Sequence, residues 1–322
     1  MTLEHIVTPH DDKIPAHVSE PSHEPAVAEY RDEEHAESVQ NICIGDFGYK
    51  YRVHDGRVMP PFIGPERYKM TRNLSLKSTD ICFVSWPRSG STWLSYILVS
   101  LTGMEGQTLR DSFHWPESGW LYERDEADLQ KAKDPRIFAS HMPFDMALGG
   151  DPTQNPCRYI YIARNPKDVC TSCYYFDREK SWSGWYSGSW DHWLNMFVQG
   201  KCHRGDWFDH VLSWWKNRDA ENILFLKYED LLRDPQSRIR EIAQFLGIDL
   251  DNRTLEAITD QANFAIMKKS RFTGMADIKE AGEFYRKGRI GSWKEQFTVA
   301  QNDVFDKLYK SRMSDSGLDF EF

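Results

Sequence analysis

Short apolar runs alternate with amphipathic segments along most of the chain. The runs predict buried strands at 81–85, 136–140, 158–163 and 223–227. Between and after them, apolar residues recur every three or four positions, which predicts helices at 91–102, 125–133, 166–176, 190–200, 206–218, 235–246, 252–261 and 298–313. Because strands that alternate with helices form parallel sheets covered on both faces, the pattern predicts an α/β fold. We expect a single three-layer domain with a central, mostly parallel sheet flanked by helices.

Three stretches lack such a period. Residues 58–78 form a proline-rich lead-in to the first predicted strand, and 178–189 combines glycine, serine and tryptophan as a loop. Residues 264–291 are basic and contain glycine, so we expect a lid there. The sequence shows no internal repeat and no second domain boundary.

The first 46 residues differ in composition from the rest. They hold 11 acidic and two basic residues, which accounts for the whole net charge of −9, and four prolines without an apolar period. This composition predicts a poorly ordered acidic tail at 1–46, followed by a single domain at 47–322. Five of the 11 histidines lie in the tail, but their irregular spacing favours a solvated segment over a metal site.

Composition also bears on compartment. No apolar stretch approaches the roughly 18–20 residues that cross a bilayer, and no basic start precedes an apolar run, so no secretory signal is visible. We therefore expect a cytoplasmic protein with reduced cysteines. Cys170 and Cys173 have the spacing of a redox or zinc pair, but no second pair follows. We interpret them as small buried residues of a helix packed on the sheet.

The segment 85–93 joins the first predicted strand to the next helix through a turn of small residues. Such a junction aims backbone N–H groups and the positive end of a helix at one point, which favours an anion. Arg88 adds a positive charge, and Ser89, Ser91 and Thr92 add hydroxyl donors. A Walker A loop would need a Gly-Lys-Ser/Thr run, which is missing, so we expect an anion held by protein donors without an obligatory metal. The alternative is an ordinary turn with a surface arginine.

Polar residues follow the ends of all four predicted strands. They are Ser85, His141, Arg164 and Tyr228. Ligands of open α/β sheets bind outside the carboxyl ends of the strands. The sequence therefore predicts that these side chains lie along one rim.

Five motifs occur in order along the chain. They are the loop at 85–93, Ala163-Arg164-Asn165-Pro166-Lys167-Asp168, Ser189-Trp190-Asp191, Tyr228-Glu229-Asp230, and Phe284-Tyr285-Arg286-Lys287-Gly288 followed by Gly291-Ser292-Trp293-Lys294. Together they resemble the cytosolic sulfotransferases over roughly residues 60–318. The resemblance implies a fold like that of P-loop NTPases. It also implies 3′-phosphoadenosine 5′-phosphosulfate (PAPS) as donor, transfer of its sulfuryl group to a hydroxyl or amine, and PAP as product. No metal, no nucleic-acid partner and no membrane span are expected, and the partner would be a small-molecule acceptor.

The resemblance assigns residues to the donor site. Those assigned are Arg88, Ser89, Gly90, Ser91, Thr92, Trp93, Arg164, Ser172, Tyr228, Phe264, Arg286, Lys287 and Gly288. The loop would hold the 5′-phosphosulfate, Arg164 and Ser172 the 3′-phosphate, and Trp93 would stack on adenine. Taken singly, Arg164 and Lys167 could instead be surface charges at a helix start, and Trp93 a core residue.

His141 would be the general base, and Arg88 would stabilise charge on the bridging oxygen of the leaving group. The resemblance rests here on the pattern formed by Pro135, Arg136, His141 and Pro143. Three positions differ from the residues that are usual in the family. Arg88 and Ala139 stand where lysine is usual, and Ala262 stands where a hydroxyl residue is common. A P-loop kinase or NTPase, and a nucleotide-binding protein without catalytic activity, stay open as alternatives.

The acceptor pocket is expected from the variable loops. Its predicted residues are Phe113, Trp120, Met142, Phe144, Phe176 and Trp185. Aromatic walls suit a flat phenol or alcohol. The same loops carry Glu117, Glu123, Asp125, Glu126 and Asp128, so a cationic acceptor is a second hypothesis, unless these acids face water. Residues 294–303 resemble the family's dimer-contact segment, with Asp303 where Glu is usual, which predicts a homodimer; the alternative is a plain helix start capped by Thr298.

Overall fold

A computed structural model describes residues 42–104, 106, 108–118, 126–179, 185–270, 272–273 and 285–322. Its strands are β1 (Cys43–Ile44), β2 (Lys50–His54), β3 (Arg57–Met59), β4 (Ile81–Val84), β5 (Ile137–Ser140), β6 (Arg158–Ala163) and β7 (Ile223–Lys227). Its helices are α1 (Pro65–Asn73), α2 (Ser91–Thr102), α3 (Glu126–Lys131), α4 (Pro166–Arg178), α5 (Trp190–Val198), α6 (Trp207–Trp215), α7 (Tyr228–Arg233), α8 (Pro235–Leu246), α9 (Asn252–Gln261), α10 (Phe264–Lys269) and α11 (Val299–Met313).

The four predicted strands form one parallel sheet in the order β5-β4-β6-β7. Successive residues of a strand point to opposite faces, so a strand covered on both sides must be apolar throughout. Strand β4 meets this requirement, because all four of its residues are buried. Cys82 and Val84 pack in the core under α4, α5 and α6, whereas Ile81 and Phe83 pack in the core under α2, α8 and α9. The predicted α/β fold with three layers is thereby confirmed.

A small antiparallel sheet, in the order β1-β2-β3, precedes the parallel one. The sequence analysis did not predict it. Asp55 and Gly56 turn the chain between β2 and β3 with φ of 48° and 77°, and an Asp-Gly pair is a known signal of a hairpin turn. The predicted acidic tail lies outside the described residues up to position 41. Its last residues are described and include β1, which pairs with β2; the domain boundary stays a prediction.

Helix ends follow the capping signals in the sequence. The Asn165 side chain accepts the N–H of Asp168 ahead of Pro166, which opens α4. Gly247 ends α8 with φ of 70°, a conformation that glycine adopts without steric cost.

The predicted lid at 264–291 is wrong at its start. Residues Phe264–Lys269 form helix α10, capped by the side chain of Asn263, while 271 and 274–284 lie outside the described residues. Helices α1 and α7 were not predicted either. Helix α7 begins directly after β7 with no side-chain cap, so the sequence carries no start signal there.

The six cysteines all lie in the described residues and form no disulfide. Cys170 and Cys173 are buried in α4, which confirms that they are small helical residues packed on the sheet. Within the described ranges, no helix is long and apolar enough to cross a membrane.

Candidate functional site

A cavity of about 990 Å³ opens at the carboxyl ends of the parallel strands. It is lined by most of the residues that the sequence assigns to the site, namely Arg88, Gly90, Ser91, Thr92, Trp93, Phe113, His141, Arg164, Ser172, Phe176, Tyr228, Phe264, Arg286, Lys287 and Gly288. The predicted convergence of four strand ends explains this grouping, because β4, β5, β6 and β7 all end at the same edge.

The turn between β4 and α2 forms one wall of the cavity. Gly90 has φ of 105°, and a Cβ atom there would lie 2.8 Å from the ring of Tyr228. The position therefore requires glycine for both its conformation and its close approach. Arg88 also has a positive φ, of 69°, which is costly for a residue with a side chain and recurs at functional sites. Ser89 is fully buried and does not line the cavity.

The side chain of Arg88 points toward helix α4. Its Nε donates to the Ser172 hydroxyl at 3.1 Å, and its guanidinium lies 4.7 Å from the ring centre of Phe176. Burial, followed among like charges by Arg164 and Arg286, lowers the pKa of Arg88 to about 10. Arg88 therefore remains charged at neutral pH, although its burial makes the charged form less favourable.

Two further guanidiniums converge on the same end of the cavity. Arg164 Nη2 donates to the Arg289 carbonyl at 3.0 Å, and Arg286 Nη2 donates to the Ser292 hydroxyl at 2.6 Å. The Nε atoms of Arg164 and Arg286 are buried and make no hydrogen bond within the described part of the chain. Burial, and then the charge of Arg164 as the largest electrostatic contribution, lowers the pKa of Arg286. Because buried polar atoms normally find partners, this cluster is built for an anion.

The start of α4 anchors the segment that carries Arg286. The Asp168 carboxylate accepts the Gly291 N–H at 3.0 Å, the Ser292 hydroxyl at 2.8 Å and the Trp293 N–H at 2.9 Å. It also lies 3.4 Å from Arg164. These bonds close residues 291–293 onto the end of the helix, next to the arginine cluster.

Lys167 is not a surface charge, which corrects one of the sequence alternatives. It is 2% exposed, and its ammonium pairs with Asp306, donates to Asn302 at 2.6 Å and lies 4.3 Å from the ring centre of Trp293. The charge is met by α11, so Lys167 fastens that helix to α4 and does not face the cavity.

Residues of the basic segment complete the other wall. Gly288 has φ of 60°, and a Cβ atom there would come within 2.2 Å of the Phe264 ring. Lys287 lines the cavity, but its ammonium is paired with Glu295, which also pairs with Arg289. The rings of Trp93 and Tyr228 meet edge to face with centres 5.6 Å apart. Aromatic faces and a basic cluster therefore border the same volume.

His141 lies at the end of β5 with its imidazole fixed. The Ser85 carbonyl lies 2.8 Å from Nδ1, and a carbonyl only accepts, so Nδ1 carries the proton and Nε2 is left as an acceptor. Burial first, then the charge of Arg204, lowers the pKa of His141 to about 3. The ring is therefore neutral at physiological pH, which is the form that can take a proton.

A buried ion pair supports the main chain of His141. Glu117 accepts the His141 N–H at 3.0 Å and the Ser140 hydroxyl, and pairs with Arg204 Nη1 at 2.8 Å. On the other side, His210 Nε2 donates to the His141 carbonyl at 3.1 Å. Glu117 is fully buried, so it neither faces water nor lines the cavity as the sequence hypotheses had it.

Three residues assigned to the acceptor pocket lie elsewhere. Met142 is buried in a separate cluster with Met59 and Ile63, Phe144 packs on Trp214, and Trp185 is half exposed. Strand β5 ends at Ser140, and Phe144 begins a short 3-10 helix, so closeness in sequence to His141 did not place Met142 or Phe144 in the cavity. Trp120 lies outside the described residues.

Several lining residues were not predicted. They are Phe62, Trp86, Asp177, Trp193, Phe197, His203 and Arg204. Trp193 and Phe197 lie on the apolar face of α5, where periodicity indicates core and gives no sign of a cavity. His203 and Arg204 sit in the loop before α6, and only the tertiary structure brings that loop to His141. The described part of the chain contains no group of three or more His, Cys, Asp or Glu side chains placed to hold a metal ion.

Comparison with known proteins gives a consistent result. The sulfotransferase-domain family matches residues 78–317. Sulfotransferase 1C2 of Homo sapiens is 32% identical over 285 residues, which cover 84% of this chain and 95% of that protein. Sulfotransferase 1B1 of Mus musculus is 36% identical over 256 residues, covering 75% and 85%. The crystal structure of mouse sulfotransferase SULT7A1 complexed with PAP superimposes with a TM-score of 0.72 at 27% identity, over 83% of this chain and 95% of that one.

The match covers the parallel sheet and most of the segments that line the cavity, from the turn at 85–93 to the basic segment at 285–293. It thus joins the predicted α/β architecture to the motifs that pointed to the family. The chain belongs to the cytosolic sulfotransferase family and is an enzyme with the sulfotransferase fold.

Proposed function

We propose that this enzyme moves the sulfuryl group of PAPS to a hydroxyl or amine of a small-molecule acceptor and releases PAP. The observation that carries the proposal is the arginine cluster beside a neutral histidine. Arg164 and Arg286 each present a buried Nε without a hydrogen bond in the described residues, in the cavity that also holds His141. SULT7A1, a similar protein, was solved with PAP.

The residues present fit a donor with two anionic ends. The Arg164 and Arg286 cluster suits a phosphate monoester such as the 3′-phosphate, because each guanidinium offers several donors. The N-terminus of α2, with Ser91 and Thr92, suits the 5′-phosphosulfate. The faces of Trp93 and Phe264 border the space between them and suit an adenine, since base–aromatic stacking contributes about 1–3 kcal/mol per base in nucleic-acid binders.

His141 is assigned as general base. When bound, PAPS supplies an activated sulfuryl group on a phosphate leaving group. His141 Nε2 accepts the acceptor's proton while the acceptor oxygen or nitrogen attacks sulfur in line with the leaving phosphate oxygen. Its Nδ1–H stays on the Ser85 carbonyl and fixes the ring orientation throughout. Arg88 meets the charge that develops on the leaving oxygen, and its bond to Ser172 sets where that charge lies.

Two experiments test this assignment. Thermal-shift titrations should show that PAP and PAPS stabilise the protein more than ATP with Mg²⁺ does; stabilisation by ATP alone would favour the kinase alternative. His141→Gln, which keeps a donor toward Ser85, should lower kcat about 10²–10⁴-fold with PAP binding unchanged. Equal turnover by the wild type and the variant would remove His141 as the base, and no turnover by either on a broad acceptor panel would favour binding without catalysis.

The acceptor is proposed to be a flat aromatic or sterol-like alcohol or phenol. The aromatic walls of the cavity support this, since Phe62, Phe113, Trp115, Phe176 and Trp193 line it together with His141. Asp177 lines it too, which gives the cationic acceptor a specific observation in its favour. Sulfation of matched phenols with and without an amine separates the two, because only the cationic reading predicts a lower KM for the amines.

The assembly and the compartment are proposals as well. Val299, inside the segment 294–303, is 80% exposed, which suits a surface that pairs with a second copy. Sedimentation should give a dimer for the wild type and a monomer for Val299→Lys; a monomeric wild type at micromolar concentration would contradict the proposal. A cytoplasmic location, in line with the family, can be checked by fractionation.

A further inference from the structure

Arg204 holds an unusual position beside the proposed base. It sits in the loop between α5 and α6, with φ of 80°, and its backbone N–H donates to the Val58 carbonyl at 2.7 Å. A left-handed conformation costs an arginine backbone strain and persists only where the surroundings enforce it. The next residue, Gly205, also has φ of 80°, a conformation that glycine adopts without steric cost. The strained backbone of Arg204 therefore indicates that its side chain is held in a defined position.

That side chain borders the cavity, but its guanidinium is bound to Glu117. Arg204 is 1% exposed, and its Nη1 lies 2.8 Å from a Glu117 carboxylate that is itself fully buried. Nη1 also donates to the Met142 sulfur at 3.5 Å. Because its guanidinium is bound to Glu117, we expect the effect of Arg204 on the reaction to pass mainly through its neighbours. A buried carboxylate without a counter-charge would take up a proton or leave its place.

Glu117 links the arginine to His141. Its two oxygens accept the His141 N–H at 3.0 and 3.2 Å, which fixes the peptide that carries the imidazole. Glu117, Arg88, Arg204 and His210 are the charged or titratable groups around His141 in the described residues, and among them Arg204 contributes most to keeping the imidazole neutral. The resemblance leads one to expect a lysine at position 139, where this chain has Ala139. A cation beside the base is therefore supplied from a different segment.

We propose that Arg204 is a positioning residue for His141, acting through the buried ion pair with Glu117 and through its own charge. The proposal rests on the proposed role of His141 as general base. It assigns to the loop before α6 a part in the reaction that neither the motifs nor the cavity residues nearest the donor suggest.

The pair allows a test that separates positioning from stability. Arg204→Met leaves the buried Glu117 carboxylate without a counter-charge, and this alone lowers the stability of the variant. The double variant Glu117→Gln with Arg204→Met replaces the ion pair by neutral groups of similar size and should regain stability. Arg204→Lys keeps the charge. All are compared with the wild type by urea unfolding, PAP thermal shift, and kcat and KM from pH 5 to 9.

Positioning predicts that the double variant folds and binds PAP like the wild type but loses about 10- to 100-fold in kcat. The acid limb of kcat/KM should move to higher pH in Arg204→Met, where only the charge that opposes protonation of His141 is gone, and should move less in the double variant, where the Glu117 carboxylate is gone too. Arg204→Lys should recover most of both. A folded double variant with the kcat and pH profile of the wild type would overturn the proposal. If the wild type transfers no sulfuryl group, the proposed function fails; the titration of His141 followed by NMR in the two proteins then still decides whether Arg204 acts on it.

Discussion

His210 on α6 is buried against the peptide of His141. Its Nε2 donates to the His141 carbonyl at 3.1 Å, and its Nδ1 accepts the Tyr161 hydroxyl at 2.8 Å. The neutral imidazole thus uses both ring nitrogens. Burial first, and Arg204 among the charges that lower it, brings the pKa of His210 to about 3, whereas a histidine in an unfolded chain has a pKa of about 6.5.

The sign of the pH effect follows from this difference. As the pH falls below about 6.5, the unfolded chain binds a proton at this ring and the folded chain does not. The stability that the neutral ring contributes is therefore complete above about pH 6.5 and is lost as the pH falls toward the folded pKa. The loss is about 1.4 kcal/mol per pH unit, or about 2 kcal/mol between pH 8 and pH 5.

His210→Gln isolates this effect, because a glutamine amide can donate to His141 and accept from Tyr161 without titrating. The free energy of unfolding in urea is measured for both proteins between pH 8 and pH 5. Other titrating groups cancel in the difference, including Glu229, whose pKa burial raises to about 7. Relative to the variant, the wild type should lose about 2 kcal/mol of unfolding free energy between pH 8 and pH 5. A gap that stays constant with pH would refute the reasoning; His203→Gln, at a second buried ring whose pKa burial lowers to about 3, should behave alike.

Three further predictions concern the segment that closes the arginine cluster. Glu295→Gln removes an exposed carboxylate that pairs with Lys287 and Arg289. The affinity for PAP, measured by calorimetry, should therefore rise about two- to fivefold, and by less at high salt. Weaker binding would contradict this prediction. Gly288→Ala places a methyl group against Phe264 at positive φ, so PAP affinity should fall at least about tenfold while the far-ultraviolet spectrum is unchanged; wild-type affinity would show that the turn tolerates a side chain. Asp168→Asn replaces one of the two oxygens that accept from Gly291, Ser292 and Trp293 by an amide group that can only donate, so the free energy of unfolding in urea should fall by about 1–3 kcal/mol, and an unchanged midpoint would count against the anchoring role.

Local structure was predicted best where the sequence carries an unbroken signal. Strand β6 and helix α8 were predicted with their observed bounds, the first by a continuous apolar run and the second by Asp234, Pro235 and the Gly247 stop. Strands β1 to β3 and helix α7 were missed because two to six residues hold too little periodic pattern. Helix α10 was taken for part of a lid because the segment 264–291 is basic and contains glycine. The Asp55-Gly56 pair is a hairpin signal from which strands β2 and β3 could have been predicted.

Patterns along the sequence are enough to predict the layered α/β fold, the rim where the strands end, and the family whose motifs lie on that rim. These follow from patterns within single segments, because periodicity and turn chemistry are local. The sequence does not predict three contacts that the folded chain makes. Arg88 points at Ser172, Lys167 is buried against α11, and Glu117 pairs with Arg204 behind His141. The first two contacts join residues that are 84 and 139 positions apart. The third joins two loops. Such contacts depend on how the layers of the fold pack together. The spacing of residues along the chain does not reveal that packing.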